Sequence, residues 1–83
     1  MDYLQLHRVS SREIAGVGYS PKHKLMSVAY YSDIKVYLYC GVKKEVYRDL
    51  LEATSKLEHL NKFIRNKYSV IALSRKVFGA VRK

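Results

Sequence analysis

From His59 onward the chain carries Lys62, Arg65, Lys67, Arg75, Lys76, Arg82 and Lys83 with no Asp or Glu among them. Residues 1–58 hold nine basic and seven acidic groups, so +7 of the total +9 net charge sits in this last stretch. A field of that sign and placement attracts polyanions, and a soluble surface alone does not require such segregation of charge. Asn61, Lys62, Arg65 and Lys67 are the chemically apt group. A guanidinium offers two parallel donors to phosphate oxygens, the amide one more, and the lysines point charges. The competing role is structural, with Asn61 as a cap and Arg65 paired to Glu52 or Glu58.

A second constellation is Lys35, Tyr37 and Tyr39, which alternate along one strand and so share a side. Unpaired bases stack on surfaces of this kind, each worth about 1 to 3 kcal/mol, and Tyr31 could join them. The alternative is that helices cover this face and the tyrosines are core residues whose hydroxyls reach the rim. That alternative has more in its favour, because a sheet so small must bury one face.

Catalytic groups are poorly provided for. His7, His23, His59 and Cys40 are scattered, and no two fall at a spacing recognised for a nucleophile with its base or for a metal-ligand set. A binding protein without metal or cofactor is expected, not an enzyme.

Further on, Val70, Leu73, Val77 and Val81 recur at helical spacing, with Arg75, Lys76, Arg82 and Lys83 elsewhere on the wheel. The pattern predicts a basic amphipathic helical tail. It can dock on its own domain or on a second copy, so a homo-oligomer is compatible with it, or it can contact nucleic acid, with Arg75 and Lys76 adding to the phosphate grip. In an acidic protein partner, Val70, Leu73, Val77 and Phe78 would supply the anchor and the charge would steer encounter. Binding to a membrane surface is a weaker third option.

The elements that must position these groups form an α+β pattern. The stretch Leu4 to Val9 reads as a short strand or an extended arm, and Ile14 to Tyr19 as a strand containing Gly16 and Gly18. Ser20-Pro21-Lys22-His23-Lys24 has turn chemistry, and Leu25 to Tyr31 and Ile34 to Cys40 are strand-like runs joined at Ser32-Asp33. Val46, Leu50 and Ala53 then mark an amphipathic helix over Lys43 to Thr54. Leu57, Leu60 and Ile64 mark a second one from Lys56 to about Arg65, with Ser55 as its N-cap. Three or four antiparallel strands followed by two helices and a helical tail are therefore predicted.

Composition sets the bounds. Eighty-three residues with 48% apolar and 28% charged content allow one folded domain. A lone cysteine cannot close an internal disulfide, and Met1-Asp2-Tyr3-Leu4-Gln5 lacks the order of a signal peptide, so a cytoplasmic setting is expected.

The run from Ser10 to Tyr68 resembles the KTSC domain, a short module named for its occurrence at the C-terminus of some lysyl-tRNA synthetases. The likeness lies in Ser11 and Ile14, Val17-Gly18-Tyr19, the pair Tyr37-Leu38-Tyr39, and Val42, Val46-Tyr47, Leu50-Leu51, Ala53 and Ser55. It closes on Asn61, Ile64-Arg65 and Tyr68. Lys43 stands where the family usually has Pro, Leu57 where it has Gly, and Leu60 where it commonly has an aromatic. The resemblance implies a compact sheet followed by two helices over residues 1–68, with residues 69–83 as a separate tail, and an RNA-binding role suggested by the synthetase association. RNA, or nucleic acid more broadly, is the expected partner; regulation of an acidic protein is the alternative.

Overall fold

The computed structural model describes residues 6–74. Five strands, β1 (His7–Arg8), β2 (Ile14–Ser20), β3 (Leu25–Tyr30), β4 (Lys35–Cys40) and β5 (Val70–Ser74), form one antiparallel sheet in chain order. Helices α1 (Lys44–Glu52) and α2 (Lys56–Phe63) are inserted between β4 and β5.

The turns are where the side chains demand them. Pro21 opens the β2–β3 corner, and Lys24 closes it at φ 52°. The β3–β4 turn is held by Asp33, whose Oδ1 accepts the backbone N–H of Lys35 at 3.0 Å. After β4, Gly41 takes φ 75°, a conformation that glycine adopts without the clash a side chain would bring. That bend brings Val42 back to donate its N–H to the carbonyl of Lys24 at 2.9 Å and to accept the hydroxyl of Tyr19 at 2.6 Å.

Ser55 caps α2 as its sequence suggests, its Oγ accepting the N–H of Glu58 at 3.4 Å. At the start of α1 Lys43 makes no side-chain cap bond, and Glu45 supplies a favourable charge to the helix dipole.

Register assigns the two faces of the sheet. Tyr37 lies opposite Val28 on one side and Ala72 on the other, and Tyr39 lies opposite Met26 and Val70. These residues share a face with Val17 and Ile14, and onto it pack Leu50, Leu60 and Ile64 from the helical segment. The helices therefore cover the tyrosine side. Tyr19 and Tyr47 stack there with ring centroids 5.0 Å apart, joining β2 to α1. Residues of opposite parity, Ala29 and Val36, form a second cluster with Leu6 and Ala15.

Two expectations need correction. The sheet has five strands, not three or four, and residues 70–74 are extended where a helix was predicted. The outer edge of β4 presents a row of backbone donors and acceptors, and the β-branched start Val70-Ile71 pairs with it in preference to forming an isolated helical turn. Pairing also sends Val70 and Leu73 to opposite faces, beside Tyr39 and Val36 respectively, so they do not form one anchoring stripe. Arg75, Lys76, Val77 and Phe78 lie outside the described residues.

Candidate functional site

Where α2 ends, the chain turns sharply: Ile64 and Arg65 both donate backbone N–H groups to the carbonyl of Leu60, at 3.0 and 2.9 Å. The bend buries Ile64 completely and leaves Arg65 outside. Its guanidinium donates to Asn61 Oδ1 at 3.3 Å, one helical turn back. It makes no ion pair with Glu52 or Glu58. Lys62 is exposed with its ammonium 5.5 Å from the centre of the Phe63 ring, and Lys67 is exposed in the turn that follows. Asn61, Lys62, Arg65 and Lys67 thus form a solvent-facing group in which none of the three cations has a carboxylate partner among the described residues.

Beside this group a cleft of about 480 Å³ opens between α2, the β3–β4 turn and β5. Tyr30, Tyr37 and Tyr39 line it from the sheet, Leu57, Arg65 and Asn66 from the helical side, and Ser32, Asp33 and Val70 from the turn and β5. The phenols are tied together. Tyr37 donates its hydroxyl to Asp33 Oδ2, and its ring meets that of Tyr30 edge-on at 5.7 Å. Burial pushes the phenol of Tyr30 far above the ordinary range, with the neighbouring Tyr39 adding to the rise and Arg65 opposing it. Tyr37 is raised chiefly because its hydroxyl donates a hydrogen bond to Asp33, whose carboxyl that same bond holds below the usual range. Arg65 draws down all three phenols, so its field reaches across the cleft.

The two sequence constellations are therefore neighbours in space. Tyr37, Tyr39 and Arg65 meet at the cleft, and Asn61 braces Arg65. Tyr39 is only 3% exposed, so it presents little ring surface to a base, while half-buried Tyr37 reaches the rim. Lys35 is exposed at the start of β4, opposite Ser74, and does not line the cleft. Sequence reasoning missed Tyr30, Ser32, Asp33, Leu57 and Asn66. Ser32 and Asp33 were legible only as a turn. Nothing in their spacing reveals that β3 and β4 place Tyr30 against Tyr37.

The KTSC domain matches residues 10–68. The chain belongs to the KTSC domain family. A solved KTSC domain protein from Yersinia pestis shares the fold with a TM-score of 0.81 at 24% identity, covering 86% of this chain and 99% of that one. No curated protein matches. The cleft residues Tyr30 to Tyr39 and Leu57 to Asn66 fall inside the KTSC match, whereas Val70 comes from the strand beyond it. Among the described residues no three His, Cys, Asp or Glu side chains gather to hold a metal, and no helix is long and apolar enough to cross a membrane.

Proposed function

We propose that this KTSC domain binds nucleic acid, with RNA the favoured partner, by gripping phosphate with Asn61, Lys62, Arg65 and Lys67. The observation that carries the reading is the exposure of these cations without carboxylate partners among the described residues, at the edge of a cleft lined by tyrosines. Basic residues engaged in structural ion pairs would meet a phosphate at the expense of an existing partner; these would not. The action is binding, in the cytoplasm. The test is titration of a fluorescent single-stranded RNA at increasing salt. Affinity that falls steeply with salt supports the reading. Undetectable binding at low salt, or binding indifferent to salt, overturns it.

A second reading has an observation of its own. Val70 and Ile71 are 47% and 52% exposed on β5, the edge of the sheet among the described residues, a place where an acidic protein partner could add a strand. Substitution of Ile71 by Lys should abolish such a complex and leave RNA affinity intact.

A further inference from the structure

Resting on the nucleic-acid reading, we infer that the cleft between Tyr37, Leu57 and Arg65 receives one unstacked nucleotide, its phosphate toward Arg65 and its base inside.

Size and wall chemistry carry the inference. The cleft, at about 480 Å³, falls in the range of roughly 300 to 1,000 Å³ typical of small-molecule sites. It is far larger than a bare phosphate needs. Its walls are of three kinds. Leu57, Val70 and the ring surfaces of Tyr30 and Tyr37 are apolar; Arg65, Asn66 and Ser32 donate hydrogen bonds; Asp33, kept ionised by the Tyr37 hydroxyl and the Lys35 N–H, accepts them. A ligand that uses every wall is anionic at one end and, at the other, flat with apolar faces and a polar edge. A nucleotide has that form. An inorganic anion would use only the Arg65 side, and an aliphatic side chain would use only the apolar walls.

The site is also built in advance. Tyr37 is fixed by Asp33, Arg65 by Asn61, and Tyr30 by its ring contact with Tyr37 and a hydrogen bond shared with Tyr39. Little side-chain freedom remains to be lost on binding, which lowers the cost of capture. RNA is ordinarily read in this manner, by single-stranded bases splayed out onto aromatic and guanidinium surfaces.

The test compares adenosine monophosphate, ribose 5-phosphate and inorganic phosphate, each titrated into the full chain and followed by NMR of the tyrosine rings and the Lys62, Arg65 and Lys67 side chains. Adenosine monophosphate should bind roughly 5- to 150-fold more tightly than ribose 5-phosphate, because one captured base contributes about 1 to 3 kcal/mol. The shifts should centre on Tyr30, Tyr37 and Arg65. Ser32→Trp, which fills the mouth from an exposed turn, should erase that difference. Equal affinities for the three probes, or shifts confined to Lys62 and Lys67, overturn the proposal. Salt-dependent RNA binding with no cleft response overturns the nucleotide site alone. A cleft response without RNA affinity overturns the nucleic-acid reading and leaves the nucleotide site standing.

Discussion

Arg65 and Tyr30 show how single side chains acquire properties that their types do not announce. Arg65 is exposed because the chain bends at Ile64, and Asn61 accepts from it where Glu52 or Glu58 could have neutralised it. Tyr30 is a phenol whose ionisation burial strongly opposes, with a folded-state value raised above the ordinary 10.0. A group raised in the folded state contributes stability that is complete below its unfolded value and is lost as pH rises toward the folded one. The domain should therefore hold its stability up to about pH 10 and lose it above. Denaturant midpoints across alkaline pH check this, and Tyr30→Phe should flatten the decline. Ser27 offers a contrasting case. It is fully buried and its Oγ has no hydrogen-bond partner among the described residues. An unsatisfied buried hydroxyl costs about 1 to 3 kcal/mol, so Ser27→Ala should raise stability by about 1 kcal/mol in equilibrium unfolding. A loss of stability would show that the hydroxyl is engaged.

At the scale of elements, the sequence carried most of the architecture. The strands read at Ile14 to Tyr19, Leu25 to Tyr31 and Ile34 to Cys40 are β2, β3 and β4 to within a residue, and both helices begin within a residue of their predicted starts. Period-2 alternation and turn residues are local signals, so local reading finds them. β5 was illegible for the opposite reason. Val70 and Leu73 satisfy a helical spacing, and what makes them a strand is the unpaired edge of β4, more than thirty residues earlier in the chain. The cleft was hidden by the same dependence, since it exists only once β5 and the end of α2 close beside the tyrosines. The helical pair is held by its core contacts more than by its caps. Leu60→Ala, in a fully buried position, should cost about 2 to 5 kcal/mol. Ser55→Ala should cost about 1 kcal/mol or less, given the 3.4 Å cap bond. Thermal or chemical unfolding of the two variants ranks them; equal losses would mean that α2 depends on its cap as much as on its packing.

For the molecule as a whole, the question is whether the +9 charge acts as a diffuse field or as a set of contacts. A diffuse field would make all exposed cations interchangeable. The geometry argues for contacts, since Lys62, Arg65 and Lys67 are grouped about one bend while Lys44 and Arg48 stand on α1 alongside Glu45, Asp49 and Glu52. Each phosphate contact to a single strand contributes about 0.7 to the slope of log affinity against log salt. Joint substitution of Lys62, Arg65 and Lys67 by Gln should therefore reduce that slope by about 2 for single-stranded RNA. Substitution of Lys44 and Arg48 by Gln removes two charges, against three, from an exposed surface, yet should leave the slope nearly unchanged. If both variants shift the slope in proportion to the charge removed, the binding is a property of net charge, and the bend at Ile64 has no special part in it. If only the first does, the fold has turned a basic composition into a defined phosphate-binding surface, with Arg65 as its link to the cleft.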